Sequence, residues 1–159
     1  MVQNAASSVE STHEHMLHLL LKTFHHNIKS YLPLSLLGVL PEWLEQVFII
    51  LESGPQILPQ AITSAGDTST RQAIYKRSLQ ICISLVSRHM RTAQKYIPRI
   101  CLATAQFAHT GVTCFAGQTH SVDVTHWERS LALSMQLLET VTTVENGYEW
   151  IRPHADDIM

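Results

Sequence analysis

Histidine is the residue in this sequence that most invites a chemical interpretation. The chain has ten histidines, and several lie close together between His13 and His26. The string His13-Glu14-His15-Met16-Leu17-His18 does not match a zinc-protease helix, because that motif places two histidines four residues apart on one face and Leu17 takes the required position. His15 and His18 share a helical face, but no nearby Cys, Asp or further His completes a tetrahedral set. We interpret these histidines as a solvated polar face and predict neither a metal nor a cofactor.

The cysteines offer a second chemistry, that of a nucleophile. Cys82, Cys101 and Cys114 have no CxxC spacing, and an odd number of them in a chain of this length argues against a secreted disulfide framework. Cys114 with His109 or His120 would supply a nucleophile and a base. No nucleophile elbow or oxyanion loop accompanies that pair. The sequence therefore predicts small buried thiols and no enzyme, and a Cys–His hydrolase remains the less favoured alternative.

Composition limits the partners that the chain can bind by charge. Apolar residues make up 45% of the sequence and charged residues 15%, with a formal net charge of −2. Such a chain buries apolar surface internally or against copies of itself, and it gains little from polyanions. The clustered basic residues are interpreted as a solvated surface around a turn: Lys76, Arg77, Arg88, Arg91, Lys95 and Arg99.

The sequence shows no sign of a targeting or membrane segment. Met1–Ser8 lacks a basic stretch followed by an apolar one, and the apolar run Val47–Leu51 is far too short for a bilayer. We therefore expect a soluble protein without a membrane partner.

Hydrophobic periodicity predicts an all-α fold of about five helices, with no competing strand pattern. Residues 1–10 are expected to be a mobile terminus, 11–153 an assembly domain and 154–159 a remnant. The Thr125/Glu128 pair is predicted to cap the last helix, and Gly54 with Pro55 to end the second. The predicted helices are 11–30, 41–53, 69–90, 96–115 and 125–152, with Gln56–Asp67 as a loop or short turn.

The third predicted helix carries two apolar stripes. One contains Tyr75, Leu79, Cys82, Val86 and His89, and the other contains Ile74, Ile81 and Leu85. Two stripes on one helix require two packing partners, of which we expect one inside the subunit and one outside it. With the following helix, this segment is predicted to form an antiparallel hairpin over Ser69–Phe115.

Several short motifs occur in an order that is similar to that of a known family. They are Tyr31-Leu32-Pro33, Thr70-Arg71-Gln72-Ala73-Ile74, Phe107-Ala108-His109, Cys114-Phe115, Glu139-Thr140-Val141 and Gly147-Tyr148-Glu149-Trp150-Ile151-Arg152-Pro153. Together they resemble the core protein of hepadnaviruses, and more closely that of the non-enveloped, fish-infecting nackednaviruses. The resemblance spans about Tyr31 to Pro153, and it is carried by the shared order of the motifs, since each one alone is weak.

The resemblance implies a capsid protein that is not an enzyme. Two subunits of that family pair through helical hairpins into an intersubunit four-helix bundle, and the dimers assemble into an icosahedral shell around the viral genome. It implies a dimer interface at Tyr75, Leu79, Cys82, Val86, Ile100 and Phe107. It also implies an inter-dimer contact at Trp150, Ile151, Arg152 and Pro153. The expected location is the virion capsid, and the host cytoplasm during assembly.

The sequence departs from the family pattern in five places, the first being a hairpin that looks shorter than in the mammalian viruses. Lys76 stands where the family has a cysteine that bridges two spikes, so that disulfide is not expected. Gly117–Val124 and the start of the last helix look like an insertion. The aromatic residue expected beyond Pro153 and the arginine-rich tail that holds RNA are both missing. We therefore expect a truncated assembly domain whose shells are empty of nucleic acid.

A helical adaptor or scaffold module of HEAT-like type is the alternative to the capsid interpretation. Such a module would stay monomeric and would bind a helix of a partner protein. Light scattering of the purified chain separates the two interpretations.

Overall fold

The computed structural model describes residues 2–63, 69–116, 122–144, 147–154 and 156, with side chains for all of these except 2–10, 61–63, 122–126, 148, 150 and 154. Five long helices and three short ones make up the described chain, with 3-10 turns at Gln94–Tyr96 and Arg152–His154. The helices are α1 (Val2–Ser30), α2 (Leu34–Leu37), α3 (Leu40–Thr63), α4 (Ser69–Arg88), α5 (Met90–Ala93), α6 (Ile97–Phe115), α7 (Val122–Thr143) and α8 (Gly147–Ile151).

The all-α prediction is confirmed, and the described residues contain no strand. Helix α4 begins at Ser69, as predicted. Helix α1 begins at Val2, well before the predicted start at Ser11. The first ten residues contain no Gly or Pro to break a helix, and Pro33 is the first residue of either type.

Helix α3 corrects the prediction that Gly54 and Pro55 end a helix. It continues through Pro55 and Pro59 to Thr63. Each proline removes one backbone donor, which normally breaks a helix interior. Leu51 and Leu58, on either side of Pro55, have no exposed surface. Core packing on both sides therefore outweighs the local signal.

The C-terminal third also differs from its predicted outline. Helix α7 begins at Val122, three residues before Thr125, so the predicted capping box lies inside the helix. Helices α7 and α8 are separate, and α8 begins at Gly147. A Cβ atom at position 147 would collide with the carbonyl oxygen of Val141, so this junction requires glycine. Of the predicted loop Gly117–Val124, residues 117–121 lie outside the described part of the chain.

Helix α4 lies at the centre of the packing. It packs against α1, α3 and α7, while α6 packs against α3 and α7. Helices α4 and α6 do not lie side by side as the two arms of the predicted hairpin would, and they meet mainly through side chains. The second partner of α4 is thus supplied by the chain itself.

Among the helices that the structure describes, none is both long enough and apolar enough to cross a membrane.

Candidate assembly surfaces

The six residues of the implied dimer interface form part of the core of a single chain. Each is at most 1% exposed: Tyr75, Leu79, Cys82, Val86, Ile100 and Phe107. A side chain without accessible surface in one chain has none to give to a second copy. This conformation therefore does not present the dimer interface that the family resemblance implies.

Trp127 of α7 covers the place where a partner was expected. Its ring centroid lies 5.9 Å from that of Tyr75 and 6.1 Å from that of Phe107, and Tyr75 and Phe107 are 4.5 Å apart. All three rings are buried. Such an aromatic cluster contributes packing beyond simple area burial. The segment that looked like an insertion thus begins the helix that closes the core.

This core also contains polar atoms without partners. The Tyr75 hydroxyl, the Trp127 indole nitrogen and the Ser130 hydroxyl are buried and have no hydrogen-bond partner among the described residues. Burial raises the pKa of Tyr75 above its ordinary range, so the phenol stays neutral. Unpaired buried polar groups cost about 1–3 kcal/mol each. The aromatic packing must offset that cost.

The implied inter-dimer contact lies at the end of the described chain. Arg152 and Pro153 are exposed, and Ile151 is half-buried against the core. Helix α8 packs against α6 and α7, which anchors the segment. The structure therefore places Arg152 and Pro153 where a second molecule can reach them, whereas the side chain of Trp150 lies outside the described atoms.

Large apolar side chains are exposed on α1 and α3, two of the helices that pack against α4. Met16, Leu19 and Leu20 of α1 are 54%, 49% and 50% exposed, and Trp43 of α3 is 36% exposed. We call these four residues the α1–α3 apolar face. A groove of about 370 Å³ runs between the two helices, lined by Leu17, Leu20, Leu21, Glu42, Trp43 and Gln46.

Further large apolar side chains are exposed at the end of α1 and along the segment that joins it to α3. Val39 is 40% exposed and accepts a hydrogen bond from the Trp43 amide, so it lies one turn before Trp43. Tyr31, Leu34 and Leu37 nearby are 68%, 85% and 43% exposed. The sequence held a signal for this surface, since α1 carries more apolar residues than one buried stripe needs.

The cysteines and histidines that could act as nucleophiles or metal ligands are either buried or spread over the described chain. Burial raises the pKa of Cys82 to about 12 and that of Cys101 to about 11, which suppresses the reactive thiolate at neutral pH. Cys114 is half-buried and His109 is exposed on α6, while His120 lies outside the described residues. Within the described ranges, no group of three or more His, Cys, Asp or Glu side chains is placed to hold a metal ion.

No family model, curated protein or solved structure matches this chain.

Proposed function

We propose that the chain is a self-assembling shell subunit of the hepadnavirus capsid type. The order of the motifs between Tyr31 and Pro153 supports the family, and the all-helical fold is compatible with it. The observation that carries the self-assembly part of the proposal is the exposed α1–α3 apolar face. Monomeric proteins rarely leave contiguous large apolar side chains in water, and such surfaces mark contacts with other molecules.

The dimer contact of the proposal lies on the α1–α3 apolar face and not on the buried α4 stripe. Leu20 and Trp43 line the groove between the helices, and Phe24 stacks against Trp43 with ring centroids 5.2 Å apart. A second copy related by a twofold axis would lay its own α1 across this groove, so that the same residues meet in both directions. Burying these side chains supplies the driving force for association.

The inter-dimer contact of the proposal uses the segment around α8. Arg152 and Pro153 are exposed at a terminus that packs against α6 and α7. Arginine and tryptophan are enriched in interface hot spots, and the resemblance adds Trp150 to this contact. Several weak contacts per dimer then close a shell cooperatively.

Analytical ultracentrifugation of a charge-insertion variant tests the dimer contact. Leu20→Glu places a carboxylate in the middle of the α1–α3 apolar face, and we expect a monomer at micromolar concentration where the wild type is a dimer. Met135→Glu is the matched control, because Met135 on α7 is 56% exposed and lies outside that face. It should leave the dimer intact. Equal behaviour of both variants, or a monomeric wild type, would contradict the proposal.

Electron microscopy and size-exclusion chromatography test the shell-forming step. Trp150→Ala and Arg152→Ala should give helical, dimeric protein that no longer forms particles, since a loss of about 2 kcal/mol per contact is repeated at every contact of the shell. Circular dichroism checks that the helices persist. Particles formed at the wild-type threshold by both variants would place the inter-dimer contact elsewhere.

The groove between α1 and α3 also favours a second candidate, the helical adaptor. Its apolar floor and its rim of Glu42 and Gln46 suit an amphipathic helix from a different protein. An adaptor would be a stable monomer in the same ultracentrifugation experiment. The wild-type mass therefore separates the two candidates before any variant is made.

A further inference from the structure

A cleft between α1 and α4 gathers basic side chains. It has a volume of about 410 Å³ and is lined by Lys22, Thr23, His25, His26, Lys29 and Arg77. The lining contains no carboxylate, although the whole chain has a net charge of −2. We call it the α1–α4 basic cleft. Like charges gathered in a concave surface focus a positive potential there.

His25 is held in one orientation inside this cleft. Its Nδ1 atom lies 3.0 Å from Nη1 of Arg77 and its Nε2 atom lies 3.1 Å from Oγ of Ser84. A guanidinium can only donate, so Nδ1 accepts from Arg77 and the proton resides on Nε2, which donates to Ser84. His25 is therefore neutral in this arrangement, and Arg77 keeps its full charge without a carboxylate to balance it.

Arg77 differs in this respect from two other arginines of the described chain. Arg71 pairs with Glu14 at 2.6 Å, and Arg99 pairs with Glu45 and Glu52 at 2.6 and 2.5 Å. The Nε atom of Arg77 is buried and has no hydrogen-bond partner among the described residues. A buried donor on a cation costs free energy until an acceptor reaches it. Arg77 lines the cleft with a charge that no carboxylate of the lining balances, so an anion bound there would be its natural partner.

The spacing of the cations indicates the size of that anion. Lys22 and Lys29 are seven residues apart on one face of α1, and a helix rises about 1.5 Å per residue, so their backbones are separated by about 10 Å. A single phosphate meets both ammonium groups and the guanidinium together only if both lysine side chains bend towards it. A short chain of phosphates offers oxygens to all three without that bending, and guanidinium and ammonium groups both bind phosphate oxygens well.

We propose that the α1–α4 basic cleft binds a compact anion carrying several phosphate groups, with Lys22, Lys29 and Arg77 as its main partners. The proposal does not depend on the assembly function, because the cleft is complete within one chain. A free oligophosphate fits better than an extended nucleic acid, since the cleft spans only about two turns of α1 and the chain beyond it adds no net positive charge.

Binding should become tighter as the pH falls. The pKa of His25 is held below its ordinary value by burial, and then by the charges of Arg77, Lys29 and His26. The pKa of His18 is lowered in the same way by burial and Arg77. From α4, Arg77 is the charge that faces His25, while His89 farther along is hydrogen-bonded to the Ile28 carbonyl. An anion reverses the repulsion, so binding favours protonated His25 and takes up protons.

Isothermal titration calorimetry of the full chain with linear inorganic triphosphate tests the site. At near-physiological salt and about pH 7, Arg77→Gln and the Lys22→Gln/Lys29→Gln double variant should each bind about tenfold more weakly than the wild type. Lys95→Gln is the control, because it removes one exposed charge outside the cleft. Circular dichroism shows whether Arg77→Gln folds, and the exposed lysines Lys22 and Lys29 keep the test decisive if it does not.

The pH arm uses trimetaphosphate, a cyclic triphosphate whose own charge stays constant in this range. The wild type should bind it about threefold or more tightly at about pH 6 than at about pH 7.5, and His25→Asn should lessen that ratio. Absence of binding by both phosphates, or an equal loss in Lys95→Gln, would overturn the proposal. Binding of a short single-stranded RNA through the same residues, without binding of either phosphate, would also overturn it.

Discussion

The α4–α6–α7 core and the α1–α3 apolar face distribute polar and apolar groups in opposite ways. In the core, Tyr75 and Trp127 are buried although each carries a polar atom without a partner. On the face, Leu19 and Leu20 are half-exposed although neither has any polar atom. Exposed apolar side chains that gather on one face mark contacts with other molecules more often than scattered ones do. The core thus buries its aromatic cluster within one chain, and the face is the surface on which we propose that a second copy docks.

Substitutions of Trp127 in the core and Trp43 on the face provide the largest expected contrast in stability between these regions. Trp127 is fully buried, so Trp127→Ala should lower the free energy of unfolding by about 3–5 kcal/mol through lost burial and the cavity left behind. Trp43 is 36% exposed, and Trp43→Ala should cost about 1 kcal/mol. Urea denaturation followed by circular dichroism, at a concentration where the chain is monomeric, measures both. If Trp127→Ala does not fold, Trp127→Phe gives a smaller loss on the same scale. Equal losses for the two alanine variants would remove the distinction between core and face.

Alanine substitutions at Gly54 and Gly38 should change the stability of the fold by an intermediate amount and in opposite directions. Ala normally stabilises a helix relative to Gly by about 0.5–1 kcal/mol. A Cβ atom at Gly54 would lie 2.5–2.7 Å from three atoms of the Tyr75 side chain, whereas a Cβ at Gly38 would meet nothing within 4 Å. Gly54→Ala should therefore destabilise the chain by about 1–3 kcal/mol, as overpacked cores do. Gly38→Ala should be neutral or slightly stabilising, and thermal denaturation reports both. A stabilising Gly54→Ala would show that Tyr75 can move and that the core is loosely packed.

The smallest expected effect concerns the ion pairs that join α3 and α6 at the surface. Hydrogen bonds from Arg99 hold the pKa of Glu45 below its ordinary value, so this pair stabilises the fold above the unfolded pKa of about 4.5 and loses that effect as the pH falls through the folded pKa. Arg99→Gln should lower Tm slightly at about pH 7 and leave it unchanged at about pH 3. Lys95→Gln serves as the control. A Tm difference between the wild type and Arg99→Gln that persists in acid would assign the role of Arg99 to its contact with the Phe48 ring, 5.1 Å away.

Local patterns in the sequence predicted the helices better than they predicted which surfaces meet. Periodicity predicted a helix over 69–90, and α4 spans Ser69–Arg88. Both stripes are buried within one chain except for the half-buried His89, although one stripe was expected to meet a second subunit. A stripe shows that a partner is needed, but it does not show whether that partner is another segment or another copy. In this structure the partner of the Tyr75 stripe is Trp127 of the same chain. The two residues are far apart in the sequence, so a local hydrophobic pattern could not show that they meet.

The basic cleft was beyond prediction for a related reason. His25 and Arg77 lie 52 residues apart, and each alone is typical of a solvated helix face. Only the packing of α1 on α4 brings them together, in a cleft whose lining contains no carboxylate to pair with Arg77. The error at Pro55 has a different origin: a local breaker was outweighed by the burial of Leu51 and Leu58, which only the folded core reveals.

The central position of α4 has a consequence for the order of events on the ribosome. Its contacts reach back to His25, bonded to Ser84 59 residues later in the chain, and forward to Trp127 in the last long helix. At about 5–20 residues per second, translation leaves the Tyr75 side of α4 uncovered for on the order of seconds before α7 emerges. The rate of synthesis between α4 and α7 therefore sets how long the apolar stripe of α4 stays in water before Trp127 covers it.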